Sequence, residues 1–142
     1  MRPIQELLKN REASVWSLTP HMSVFDALKQ LADHDVGAMM VMDGGKLVGV
    51  FSERDYTRKI ALAGKASKET AVKDIMTANV LTVTAQTRTK DCMVLMSQKK
   101  IRHLPVLDGD KVLGMISIRD IMDDIIHDHE LTISQLQSYI AS

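Results

Sequence analysis

The chain is poor in the residues that would stabilise or decorate it from outside a hydrophobic core. It has a single cysteine, Cys92. That excludes an internal disulfide and points to a reducing compartment. With Met93, Val94 and Leu95 following it, Cys92 reads as a small apolar residue on a helix. One Trp, two Tyr and two Phe leave little aromatic surface for stacking nucleobases. The 18 basic and 18 acidic side chains cancel, so no field of one sign draws the whole chain to nucleic acid or an anionic membrane. Apolar runs such as Val36 to Met42 are strand-length, far below the roughly 20 residues of a bilayer span. The opening Met1-Arg2-Pro3-Ile4-Gln5-Glu6 lacks the apolar core of a signal peptide. No phosphate-binding P-loop, Rossmann fingerprint or catalytic-triad spacing occurs. The expectation is a cytoplasmic protein with neither a membrane nor a nucleic-acid partner.

What is present is an internal repeat. Gly49-Val50-Phe51-Ser52-Glu53-Arg54-Asp55 returns as Gly114-Met115-Ile116-Ser117-Ile118-Arg119-Asp120, so both share the frame Gly-x-x-Ser-x-Arg-Asp. The offset, 120 − 55 = 65 residues, is nearly half of the 142-residue chain. Laid over residues 80–120 without a gap, residues 15–55 are identical at Val15/Val80, Thr19/Thr84, Asp26/Asp91, Val41/Val106, Asp43/Asp108, Gly44/Gly109, Lys46/Lys111 and four motif positions. One supersecondary unit is used twice.

Each copy reads as strand, helix, strand, turn, strand, helix. In the first, Val15 to Leu18 is extended, and Ser23 with Asp26 three residues on resembles a capping box. Val24, Leu28, Leu31 and Ala32 follow at helical spacing. Val36 to Met42 and Leu47 to Phe51 flank the turn signal Asp43-Gly44-Gly45, and a helix is expected over residues 53–63. The second copy gives Val80 to Thr84, a helix from about Lys90 to Lys99, Leu104 to Leu107, Asp108-Gly109, Val112 to Ser117 and a helix from Ile118. Residues 8–64 and 72–130 are the expected repeats, with 65–71 the linker and 131–142 a C-terminal helix. On that helix Leu131, Ile133, Leu136, Tyr139 and Ile140 form an apolar stripe suited to the body of the protein or to a second subunit.

Two readings of Ser52-x-x-Asp55 and Ser117-x-x-Asp120 compete. As caps, Ser and Asp satisfy orphan amides where strand turns into helix, contributing about 1 kcal/mol. Capping calls neither for Arg54 and Arg119 nor for a glycine at the same distance before each serine. As a ligand site, the serine hydroxyl and arginine would serve phosphate, and the aspartate would accept from vicinal hydroxyls such as those of ribose.

Other polar groups are weaker signals. His127-Asp128-His129 places i and i+2 on different helix faces, so a solvated helix end is the default over a metal site. Asp120, Asp123, Asp124 and Asp128 would hold Mg²⁺ only with a shared phosphate, and read first as a solvated acidic face. Tyr56-Thr57-Arg58-Lys59 either extends a phosphate site or forms an exposed basic face. The ten methionines, Met39, Met40 and Met42 among them, read as adaptable core.

The duplicated unit, the lead-in Asp74-Ile75-Met76-Thr77, the segment Ile101-Arg102-His103-Leu104-Pro105-Val106 and the paired Gly-x-x-Ser-x-Arg-Asp resemble tandem cystathionine-β-synthase (CBS) domains over about residues 8–130. The resemblance implies an α/β (α+β) Bateman module: two β-α-β-β-α repeats packed about a pseudo-twofold axis, with clefts that bind AMP, ADP, ATP or NAD(H) as regulatory ligands. It implies ribose at Asp55 and Asp120. Phosphate would lie near Ser52, Arg54, Ser117, Arg119, Arg102 and His103. The base would meet Ser17, Val36, Gly37, Ala38, Thr82 and Ile101. Where the second repeat has Arg102-His103-Leu104-Pro105 the first has Gly37-Ala38-Met39-Met40, so the two sites should differ in charge and affinity. The reading is a non-catalytic module, since the sequence supplies no obvious acid or base partner for a catalytic His103, acting through an effector protein or as a homodimer. An interaction module with vestigial sites is the alternative.

Overall fold

The structure, a computed structural model, describes residues 2–8 and 16–141. The chain forms two compact units. One takes the described residues of Ser14–Leu81 with Gly109–Val112; the other takes those of Met1–Ala13, Thr82–Asp108 and Leu113–Ser142.

In the first unit, β1 (Ser17–Leu18) runs parallel to β2 (Ala38–Asp43), with Ser17 opposite Met40. The crossover between them is α2 (Val24–His34), as parallel neighbours require. The helix starts where expected: the Ser23 side chain accepts from the Asp26 amide at 3.1 Å. Val24, Ala27 and Leu31 face inward, and Asp35 ends the helix in the left-handed conformation at φ 52°. Antiparallel β3 (Lys46–Ser52) follows a turn in which Gly44 and Gly45 take φ 59° and 81°. Those values are why two glycines stand there. Leu18, Val24, Ala27, Leu31, Met39, Val41, Phe51 and Ile60 make the core, and Val72 and Ile75 complete it.

The second repeat follows the same plan with β4 (Val83–Thr84), α4 (Thr89–Lys99), β5 (His103–Asp108) and β6 (Lys111–Ser117) in the sheet order β4-β5-β6. Parallel pairing sets Val83 opposite Val106. Cys92 is buried and reduced, beside Met96, Leu104, Val106, Ile116 and Ile121. Here the core is completed by Ile4 of α1 (Ile4–Leu8), with Leu7 and Leu8 packed on it. The segment ahead of the first repeat thus completes the second unit, while the segment ahead of the second repeat completes the first. Backbone bonds fix both. Ile4 N–H donates to Thr87 C=O at 2.8 Å and Thr89 N–H to Arg2 C=O at 3.0 Å. Val72 N–H donates to Met22 C=O at 3.0 Å, and Val50 and Thr77 exchange a pair at 2.9 and 3.0 Å.

Several boundaries differ from the sequence expectation. The strands expected from Val36 and Val80 begin later, at Ala38 and Val83, so Val36 and Thr82 precede them. The helix expected over residues 53–63 is one α turn, α3 (Glu53–Tyr56), followed by a π turn over Thr57–Ala61 with Leu62 N–H bonded to Thr57 C=O at 3.0 Å. The C-terminal stripe is no separate helix: α5 runs unbroken from Ile118 to Ala141. Val15 and the Tyr139 side chain lie outside the described residues.

Candidate functional site

Each Ser-x-Arg-Asp motif sits where the last strand of a sheet becomes a helix, and there the two motifs are built alike. In the first unit Asp55 Oδ2 accepts from the Ser52 amide and from the Ser52 hydroxyl, both at 3.0 Å, while Ser52 Oγ accepts from the Asp55 amide at 3.2 Å. In the second unit the corresponding Ser117–Asp120 distances are 2.7, 2.9 and 3.2 Å. The capping expectation is therefore met in both. In each, the serine proton is given to the neighbouring carboxylate, and Oδ2 of the aspartate is taken up by its serine.

One further bond, repeated in both units, brings the second set of expected residues to the motif. Glu53 N–H donates to Gly37 C=O at 3.0 Å, and Ile118 N–H to Arg102 C=O at 2.8 Å. Ala38 lies opposite Ser52 in the sheet register. The structure thus gathers Gly37, Ala38, Ser52 and Asp55 in one unit and Arg102, His103, Ser117 and Asp120 in the other. Ser17 stands opposite Met40, two positions along β2 from Ala38, and is exposed, as Thr82 is. Val36 and Ile101 are half-buried, their amides bonded to Leu31 and Met96 carbonyls at 3.0 Å. Arg54, Arg119 and Arg102 are exposed.

The motif glycines have a packing reason. A Cβ on Gly49 would lie 2.5 Å from Met76 Sδ and 3.0 Å from Thr77 C=O; one on Gly114 would lie 3.1 Å from Leu8 Cδ2. Each glycine makes room for the segment that completes its unit's core.

The two sites differ electrically. Lys59 Nζ lies 3.2 Å from Asp55 Oδ1 and donates to the Ile75 carbonyl at 2.8 Å. Lys59 is exposed, as the exposed-face alternative has it, while its ammonium lies against the site aspartate. The residue in its place 65 positions on is Asp124, and it was misread as part of a solvated acidic face. Asp124 is buried and holds the Arg2 guanidinium. Burial pushes His103 below its ordinary pKa of 6.5, an effect that the Asp120 charge opposes and Arg102 reinforces. Burial, with help from Asp91, pushes the Cys92 thiol up to about 11, so it is no nucleophile at neutral pH. Among the described residues no three His, Cys, Asp or Glu side chains cluster as metal ligands, and no helix is long and apolar enough to cross a membrane.

Sequence reasoning missed Lys59 as a partner of Asp55 and Arg2 as the partner of Asp124. The first had a signal, since Asp and Lys at i and i+4 meet on a helix. The second, spanning 122 residues, had none.

Comparison with known proteins accords with this geometry. The CBS domain model matches residues 11–62 and 72–127. A mitochondrial CBS domain-containing protein of Arabidopsis thaliana, CBSX3, is 37% identical over 147 residues, spanning 96% of this chain and 71% of that protein. A CBS-domain protein from Burkholderia ambifaria MC40-6 superposes with TM-score 0.86 at 40% identity, covering 89% of this chain and 95% of the other. The CBS domain pair of protein MJ0100, solved in complex with 5′-methylthioadenosine and S-adenosyl-L-methionine, superposes with TM-score 0.75 at 25% identity, covering 87% and 98%. The chain belongs to the CBS domain family and carries two of its repeats.

Proposed function

We propose that this protein is a non-catalytic regulatory module whose repeats bind an adenosine-containing ligand, AMP, ADP, ATP or NAD(H), at the Ser-x-Arg-Asp motifs. The observation that carries the reading is the duplicated bond from Glu53 to Gly37 and from Ile118 to Arg102, which sets the start of the middle strand beside a capped aspartate in both units. The adenosine ligands of the MJ0100 pair support the class of ligand. Asp55 and Asp120 would accept from ribose through Oδ1. Phosphate would favour the second unit, where Arg102 and His103 replace Gly37 and Ala38. The base would lie against Ser17 and residues 36–38, or against Thr82 and Ile101. With about 23 heavy atoms at roughly 0.3 kcal/mol each, AMP would bind in the micromolar range.

The output would pass to an effector protein or through a homodimer in a reducing compartment. On α5, Met122, Ile126, Ile133, Leu136 and Ile140 are all more than half exposed. With His129 between Ile126 and Ile133 they follow steps of four and three, the spacing of a coiled-coil seam. A second copy of α5 is the occupant we assign to it. Calorimetric titration of AMP into the wild-type protein and the Asp55→Ala and Asp120→Ala variants tests the ligand reading.

A further inference from the structure

We propose that Lys59 is a positioning residue that couples the Asp55 carboxylate to the segment Val72–Thr77. The inference rests on Asp55 as a ligand group but can be tested without any ligand.

Lys59 serves two masters with one ammonium. It lies 3.2 Å from Asp55 Oδ1 and 2.8 Å from the Ile75 carbonyl. Lysine has three donors on one small head, so it can hold both groups at once. Because Ser52 takes up Asp55 Oδ2, the oxygen that a ligand hydroxyl would meet is the one that pins Lys59. Residue 59 also lies within the π turn Thr57–Ala61. Such wide turns are rare, and where they occur they are often at functional sites.

The other end of the link is a segment with structural consequence. Val72 and Ile75 are core residues of the first unit, Thr77 pairs with Val50, and Met76 lies over Gly49. This is the stretch through which the chain enters the second repeat. A hydroxyl donated to Asp55 Oδ1 competes with the ammonium for the same charge. The ammonium is then less firmly held, and so is the Ile75 carbonyl.

The second unit supplies an internal comparison. Position 124 matches position 59 across the 65-residue offset and also clasps its unit's lead-in, through Arg2. An acid four residues after Asp120, however, cannot pair with that aspartate; like charges at this spacing repel. The same position anchors a lead-in in both units, and in the first Lys59 also ties the anchor to the site.

Amide exchange at Ile75, Met76 and Thr77 tests this in the full chain, with wild type, Asp55→Asn, Lys59→Met and the double variant. Asparagine keeps a carbonyl oxygen for the Ser52 cap and gives up the charge. Each single substitution should speed exchange at these amides about threefold or more relative to Val41 in the core, and the double should exceed Lys59→Met by nothing further. Lys59→Arg should retain most of the protection. Unchanged amides in Asp55→Asn, or an equal increase in both backgrounds, would overturn the coupling. The AMP titration stands apart. A non-additive cycle with no AMP heat would sink the ligand reading alone, and AMP binding with an additive cycle would sink the coupling alone.

Discussion

The Arg2 guanidinium grips the buried Asp124 carboxylate, its Nε 2.8 Å from Oδ1, across 122 residues of sequence. The carboxylate is fully buried and its Oδ2 has no hydrogen-bond partner among the described residues, so Arg2 carries the compensation for that charge. The pair pins the N-terminal segment whose Ile4 completes the second core.

Arg2→Ala should therefore destabilise the protein by about 2 kcal/mol, less than a fully buried pair because Arg2 is 39% exposed. Removing both charges, as Arg2→Ala with Asp124→Leu, should restore much of the loss. Urea denaturation of wild type and the two variants checks it; a double variant no more stable than Arg2→Ala would show that the charge is not the cause.

The motif glycines separate by what surrounds them. Gly49→Ala meets backbone at Thr77 and the Met76 side chain, and should cost about 1–3 kcal/mol. Gly114→Ala meets only the mobile end of Leu8 and should cost less than about 1 kcal/mol. Thermal melts of the two variants would contradict the packing account if the order reversed.

How much of this was legible follows from range in sequence. The Ser-x-x-Asp caps, the Asp-Gly turns and the helix at Val24 depend on residues three or four apart, and they appear in the sequence as they do in the fold. The repeat itself exposed Gly37 and Arg102 as equivalent. What the residues did not show is that each lead-in completes the other repeat's core, because Ile4 and Val72 are ordinary apolar residues until docked. The role of Gly49 and Gly114 and the burial of Asp124 follow from that docking. The π turn at Thr57 breaks the helical spacing without a glycine or proline to signal it.

His103 makes stability depend on pH. Below about pH 6.5 the unfolded histidine takes up a proton, while the folded one, with its pKa lowered by burial, does not. Stability should be flat above that pH and fall as pH drops through 6.5 toward the folded value. Denaturation midpoints measured from pH 7.5 to 5 should show this slope in wild type and a shallower one in His103→Gln. Equal slopes would remove His103 as the cause.

The α5 seam predicts a concentration-dependent dimer. Ile133→Glu with Leu136→Glu places two charges on residues 54% and 57% exposed, so folding should be unaffected while self-association is lost. Sedimentation equilibrium decides it. A wild type that stays monomeric, or a variant that still dimerises, would assign the seam no role in self-association.

The most direct test of the central claim is calorimetric titration of AMP into wild type, Asp55→Ala and Asp120→Ala. The account predicts micromolar binding, weakened at least about tenfold when the aspartate of an occupied site is removed, a loss of about 1.4 kcal/mol. With phosphate favoured beside Arg102 and His103, the larger loss should fall on Asp120→Ala. No heat with any of the three proteins would contradict the account and leave both Ser-x-x-Asp motifs as helix caps.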